Sequence, residues 1–332
     1  MVGQLRRWAD ERGYRVAWGP ASVIEDAQRE ILERRTLGEV DAGFFRDELE
    51  SLAGGRIQGP DTTVVAVAKP VPAYLVHFRL EGRMIDGLMP PTYVRHCATF
   101  EEVRQDLARH GLPGAHLDHL AWPIKVVAAR LGLVRYGRNN VTYAPGLGSY
   151  VQLCGFLTDA RLPGLGEGVA ALALLDECEG CGACVSACPV GAIDEDRVLL
   201  HAERCLARAN ENTGPWPATL PASAHHCLLG CLLCQRACPV NGELEVVDSC
   251  VDFSEDETHA LLGTGSGDRG RAESGIRFKL AWLGQPYAEP VLGRNLRALL
   301  DASAGSKQNE GRRRKEEERH FRELDPPSVR LW

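Results

Sequence analysis

A chain of 332 residues, 44% of them hydrophobic, is long enough to bury cores for about two domains. Its formal charge of −7 disfavours a protein that coats nucleic acid, and no apolar run approaches membrane-spanning length. The opening stretch Met1–Trp8 lacks the apolar segment of an export signal, so 12 cysteines point to a reducing, cytoplasmic setting.

Leu5 and Trp8 suit a first helix and Ala21–Arg35 a second. Thr62–Ala68 (TTVVAVA) is a short β-branched run that reads as a buried strand. Ala73–Leu80 and Arg83–Leu88 flank Glu81-Gly82 as a hairpin. Thr99 with Glu102 has capping-box spacing, opening a helix to about His110 that Gly111 stops. Ala121–Leu131 fits another helix ended by Gly132, and Ser149–Leu157 a further core strand. An α/β (α+β) domain over residues 1–172 is the economical summary.

Residues 173–245 carry the strongest signal in the chain. Cys178, Cys181, Cys184 and Cys188-Pro189 follow the spacing C-x2-C-x2-C-x3-C-P, which is that of bacterial ferredoxins with two [4Fe–4S] clusters. Cys231, Cys234 and Cys238-Pro239 repeat most of it. Two-residue gaps let thiolates converge on one cubane, and Gly180, Gly182 and Ala183 let backbone N–H groups approach the sulfurs. Paired C-x2-C units also bind zinc, but one zinc ion has no use for the third and fourth cysteines of the run. In two-cluster ferredoxins the fourth cysteine of each motif serves the other cluster. Cys178, Cys181 and Cys184 then share a cluster with Cys238, while Cys188 joins Cys231 and Cys234. A complete second motif needs a cysteine at 228, where Leu228 stands; Cys205 or Cys227 supplies the missing ligand, and spacing leaves both open. Cys97, Cys154 and Cys250 are isolated and read as buried structural thiols.

Residues 246–303 read as helical, with Glu255–Leu262 and Val291–Ala302 as examples, and 304–332 form a charged tail read as a solvated extension. His225 and His226, just before Cys227, read as lining the surface of the cluster module.

Two further segments carry a resemblance. They are Leu117-Asp118 followed by residues 129–140 (ARLGLVRYGRNN), and residues 148–159 (GSYVQLCGFLTD). With Glu203-Arg204-Cys205 and Gly230-Cys231, they resemble the epoxyqueuosine reductase family, related to the corrinoid-dependent reductive dehalogenases. The likeness is good over about 112–245 and loose before it. It implies a nitroreductase-like N-terminal domain that holds cobalamin, beside a two-cluster ferredoxin-like module and a short helical C-terminal region. It favours Cys205 over Cys227 as the eighth ligand. It implies Asp118 as proton donor, with a helix cap before Ala121 as the ordinary alternative, and Arg138 and Asn139 as cofactor-binding residues. An external low-potential donor would feed the clusters; the substrate would be a small molecule or modified nucleoside, with tRNA as a partner. The chain departs from the family at His119–Pro123, at Gly155 where a glutamate is usual, and in its reduced helical-repeat region. His119 reads as standing behind the reacting groups at most. A non-enzymatic two-cluster electron-transfer protein is the alternative.

Overall fold

The computed structural model describes residues 1–49, 62–163, 173–195, 199–214, 216, 220–264 and 268–303. The tail 304–332 and residues 164–172, where the first domain was expected to end, lie outside them.

The chain opens with α1 (Val2–Glu11), β1 (Arg15–Pro20) and α2 (Ser22–Thr36). β2 (Thr63–Pro70) lies between β1 and β8 (Val151–Thr158), with β5 (Leu117–His119) beyond β8; all three pairings are antiparallel. Helices cover both faces of this sheet. Val65 and Val67 pack with Trp8, Trp18, Leu107 and Phe156, whereas Val64 packs with Val23 and Val127, and Ala66 and Ala68 with Ala128. That explains why Val64–Ala68 reads as an unbroken apolar run: a central strand covered twice has no solvent side.

A second sheet has the order β4-β3-β9, from β3 (Ala73–Leu80), β4 (Arg83–Met89) and β9 (Val246–Phe253). The hairpin turns at Glu81-Gly82 as expected, both with positive φ. β9 corrects the helical reading of 246–303. It pairs in parallel with β3, and its burial alternates along VVDSCVDF, so the chain after the cysteines returns to the first half of the protein. Glu255–Leu262, Arg269–Leu283 and a helix over 289–303 then cover this sheet, with Phe78 stacked on Phe253 at 4.8 Å between ring centres.

The helix expected from Thr99 starts earlier, as α3 (His96–Asp106), behind Arg95 in a left-handed conformation; Thr99 lies inside it. Arg95 donates its N–H to Leu283 O (2.8 Å), so a tertiary contact fixes this start in place of a capping box. The helix expected at Ala121 begins as α4 (Ile124–Arg130) because Pro123 takes the cap position. The isolated thiols divide. Cys154 is buried, but Cys97 on the first turn of α3 and Cys250 at a left-handed position in β9 are exposed.

Three anchors fix the cysteine segments to this scaffold. Leu228 and Leu229 are buried in the core of the second sheet, and Leu228 N–H donates to Leu88 O (2.7 Å). Leu175 N–H donates to Tyr136 O (2.8 Å), beside an Arg135–Asp176 pair at 2.7 Å. Asn241 Oδ1 accepts from Ser149 N–H (2.7 Å), and its Nδ2 donates to Gln235 O (2.8 Å). A Cβ at Gly148 would lie 2.5 Å from Asn241 Oδ1, so that approach needs glycine.

His77 clamps the second sheet, with Nδ1 2.8 Å from Asp86 and Nε2 3.3 Å from Asp248. Burial opposes its charge, but the two carboxylates outweigh burial and hold its pKa above the ordinary value. Its stabilisation is therefore complete below the unfolded pKa of about 6.5 and is lost as pH rises through the higher folded value. His77→Gln should be less stable than the parent near pH 6 and close to it near pH 9, by denaturant unfolding followed by circular dichroism. A gap independent of pH would contradict the clamp.

Candidate metal centre and adjoining cavity

The loop that follows Leu175 makes a short turn at Asp176–Cys178, then left-handed turns at Gly180 and Gly182 before the helix Ala183–Ala187. These turns carry Cys178, Cys181 and Cys184 to one small cavity, whose opposite wall includes Cys238. Cys188, Cys205, Cys231 and Cys234 line a different and larger cavity of ≈ 630 Å³. Cys227 lines neither. It is 1% exposed, and burial pushes its thiol far up. Cys205 stands at the N-terminus of the helix Leu206–Glu211, where the backbone N–H groups of Ala207 and Arg208 favour its thiolate against the burial that raises its pKa.

Further N–H groups aim at sulfur: Arg138 at Cys178 (3.4 Å) and Ala192 at Cys188 (3.3 Å). Such bonds favour the thiolate over the thiol. Burial acts the other way. It pushes Cys231 up to about 11, aided by repulsion from Cys205 and Cys188, and it raises Cys184, Cys205 and Cys234 as well. Ionising these groups together needs a strong positive partner, which bound iron provides. Among the described residues, no three His, Cys, Asp or Glu side chains are placed to hold one metal ion. In a cubane each thiolate takes a different iron, so a ring of sulfurs about a shared space is the arrangement that fits.

The expected cofactor residues separate. Asn139 is 2% exposed and borders both cysteine sets; its Nδ2 donates to Tyr143 Oη (2.8 Å) and its Oδ1 accepts from Val141 N–H (3.2 Å). Arg138 borders the first set only, and its guanidinium donates to Glu195 O. Tyr143, which sequence reasoning passed over, hydrogen-bonds Cys238, and burial raises its phenol strongly.

Asp118 lies in β5, opposite Leu157 of β8, and therefore caps no helix. Its carboxylate is 50% exposed and pairs with His116 Nε2 at 3.0 Å. It does not border the large cavity, whereas the adjacent His119 and Leu120 do. His119 sits edge-on against Phe100, 4.3 Å between ring centres. Gly155 borders the same end; a Cβ there would meet Ile124 at 2.6 Å and Leu120 at 3.0 Å. His225 and His226 are not a surface pair. His225 is buried against Trp216, and His226 accepts from Leu232 N–H (3.0 Å) at Nε2 while Nδ1 meets Ala224 O (2.8 Å). That pattern requires a neutral ring protonated at Nδ1, bracing the turn before Cys231.

A second cavity of ≈ 530 Å³ shares Lys125, Asn140, Leu200, Cys205 and Ala207 with the first. Sequence reasoning missed both Lys125 and the bond from half-buried Tyr93 to Glu211, because neither has a local pattern.

Residues 177–241 match the 4Fe-4S double cluster binding domain. The epoxyqueuosine reductase of Bacillus cereus is 29% identical over 241 residues, covering 68% of this chain and 60% of that protein. That of Synechococcus is 34% identical over 118 residues, covering 35% of this chain and 34% of the protein. The chain is epoxyqueuosine reductase-like. It spans less than two thirds of the length of these curated relatives. The solved epoxyqueuosine reductase of Streptococcus thermophilus superimposes with a TM-score of 0.62 at 16% identity, over 90% of this chain and 80% of that one. The Bacillus subtilis reductase gives 0.60 at 19% identity, over 91% and 81%, and was solved with an aspartate-bearing catalytic loop swung out of its active site. A further structure holds a tRNA-Tyr epoxyqueuosine-modified stem loop. At these identities the superpositions establish the fold.

Proposed function

We propose that the chain is an iron–sulfur oxidoreductase of the epoxyqueuosine reductase type. In this reading Cys178, Cys181, Cys184 and Cys238 hold one [4Fe–4S] cluster, and Cys188, Cys205, Cys231 and Cys234 hold the other. The observation that carries it is the second cysteine set on the wall of the ≈ 630 Å³ cavity. Cys181, in the first set, is exposed, whereas the second set lines the cavity, which supports electron entry at the first set. The clusters supply one-electron transfer from an external low-potential donor in the cytoplasm. A bare carrier has no need of such a cavity, which favours the enzyme over the electron-transfer alternative.

A corrinoid bound here would supply a strongly reducing cobalt centre. Two chambers with a shared wall suit a ligand larger than most small molecules. Asn140 offers polar groups on that wall and Asn139 and Gln235 border the larger chamber, while the Arg138 N–H serves Cys178 instead. Asp118 is the proposed proton donor. Its carboxyl reaches the cavity only if the three-residue pairing of β5 with β8 and the His116 contact give way. The substrate is proposed as a modified nucleoside, with tRNA as the macromolecule that presents it. The glutamate usual at position 155 would have to displace Ile124 and Leu120, so this end of the cavity is more apolar here than the family pattern implies.

Two outcomes test this reading. Cys205→Ala should lose about half of the iron of a two-cubane protein and Cys227→Ala almost none, by iron assay after anaerobic reconstitution; equal losses would overturn the ligand assignment. Cob(II)alamin added to cluster-loaded protein should change its cobalt EPR spectrum. An unchanged spectrum at saturating cobalamin would remove the corrinoid from the account.

A further inference from the structure

Among the described residues, no Asp or Glu borders the ≈ 630 Å³ cavity. Apart from cysteines, its ionisable side chains are Tyr93, His96, His119 and Lys125. Two of these are engaged. Tyr93 donates its O–H to Glu211, and Lys125 Nζ donates to Asn140 O (3.4 Å) on the wall shared with the second cavity. The two imidazoles remain, and they stand together. His96 and Phe100 are four residues apart on α3, hence on one face of that helix, and His119 packs edge-on against Phe100. Phe156 supports Phe100 from β8, with 4.8 Å between ring centres.

Successive side chains on a strand point to opposite faces. In β5 this separates Asp118 from His119. Asp118 turns to His116, two residues back, whereas His119 turns to Phe100 and the cavity. The charged groups on the elements around the pair have other partners. Arg95 lies over Trp282 (5.4 Å), Glu101 pairs with Arg104 (2.7 Å), and Glu102 with Lys69 (3.3 Å). His96 Nδ1 meets Cys97 Sγ at 4.0 Å, and among the described residues no carboxylate pairs with either ring. Partial burial, and after it the charge of His119, pushes His96 down, which favours a pair that holds one proton. Both residues are exposed, so water can return that proton.

Reductive opening of an epoxide breaks a C–O bond and takes up two electrons and two protons, whether the oxygen stays as an alcohol or leaves as water. The electrons come one at a time from the external low-potential donor through the clusters. The oxygen develops as an anion and needs an acid within reach. Asp118 carries one proton, and while β5 stays paired it lies outside the cavity wall. We propose that His119 is a further catalytic residue of this cavity, the acid that protonates the oxygen as the C–O bond breaks. This rests on the reductase reading above. The proton passes from an imidazolium N–H to oxygen, leaving a neutral ring that water reprotonates. Imidazole ordinarily titrates at about 6.5, close to the pH at which an acid catalyst works best in a neutral cell.

The test is reduction of an epoxyqueuosine-modified tRNA-Tyr stem loop, the kind of molecule held by the solved relative, by the cluster-loaded full chain supplied with cobalamin and dithionite. Parent, His119→Gln and His96→Gln are compared across neutral pH, with iron content and stem-loop affinity measured for each. The parent rate should fall as pH rises through the imidazole range, because the acid form is lost. His119→Gln should lower the rate by on the order of a hundredfold, abolish that fall, and leave iron content and affinity at parent values. An unchanged rate in His119→Gln, a fall that persists in it, or a fall abolished by His96→Gln alone would each overturn the proposal. So would iron or affinity lost in step with the rate, which would make His119 a structural residue. A parent that does not reduce the stem loop would instead overturn the reductase reading itself.

Discussion

Several thiols meet in a space that burial makes hostile to their charged form, with Cys231 pushed up to about 11 and Cys184, Cys205 and Cys234 also raised. Everything around them offsets that opposition. Backbone N–H groups from Arg138, Ala192, Ala207 and Arg208 turn toward sulfur, and bound iron supplies the balance of positive charge. The cysteine loops are short and contain few buried apolar residues of their own, so contacts with the scaffold fix their positions. Hence the anchors: Leu228 and Leu229 in one core, Tyr136 at the other end, and the Ser149–Asn241–Gln235 bonds between.

The late strand β9 makes this arrangement possible. By pairing with β3 it brings the chain back after the cysteines, so the cluster module is tethered at both ends to the same scaffold. The large cavity forms where module and scaffold meet, with sulfurs on one wall and Phe100, His119 and Trp122 on the other. Electron delivery and ligand binding are therefore properties of one junction, and Lys125 and Asn139 belong to it because both face two neighbouring spaces.

The sequence made some of this readable and hid the rest for physical reasons. Cluster chemistry imposes spacing, so the grouping of Cys178, Cys181, Cys184 and Cys238 was available from the motif, as was the buried run Val64–Ala68. β9 was missed because Asp248, Ser249 and Asp252 interrupt its apolar residues on an edge strand. The start of α3 was misplaced because Thr99 and Glu102 imitate a capping box, while the true start depends on the distant Leu283. Cys97 and Cys250 turned outward, since a lone cysteine carries no sign of its facing. Lys125, Tyr93 and Glu211 come together only in three dimensions, and no local pattern announces them.

The central claim is that two cubanes are held at this junction. The most direct measurement is iron and acid-labile sulfide per chain, on protein isolated anaerobically. The account expects about eight of each. A value near four, or zinc in place of iron, would contradict it.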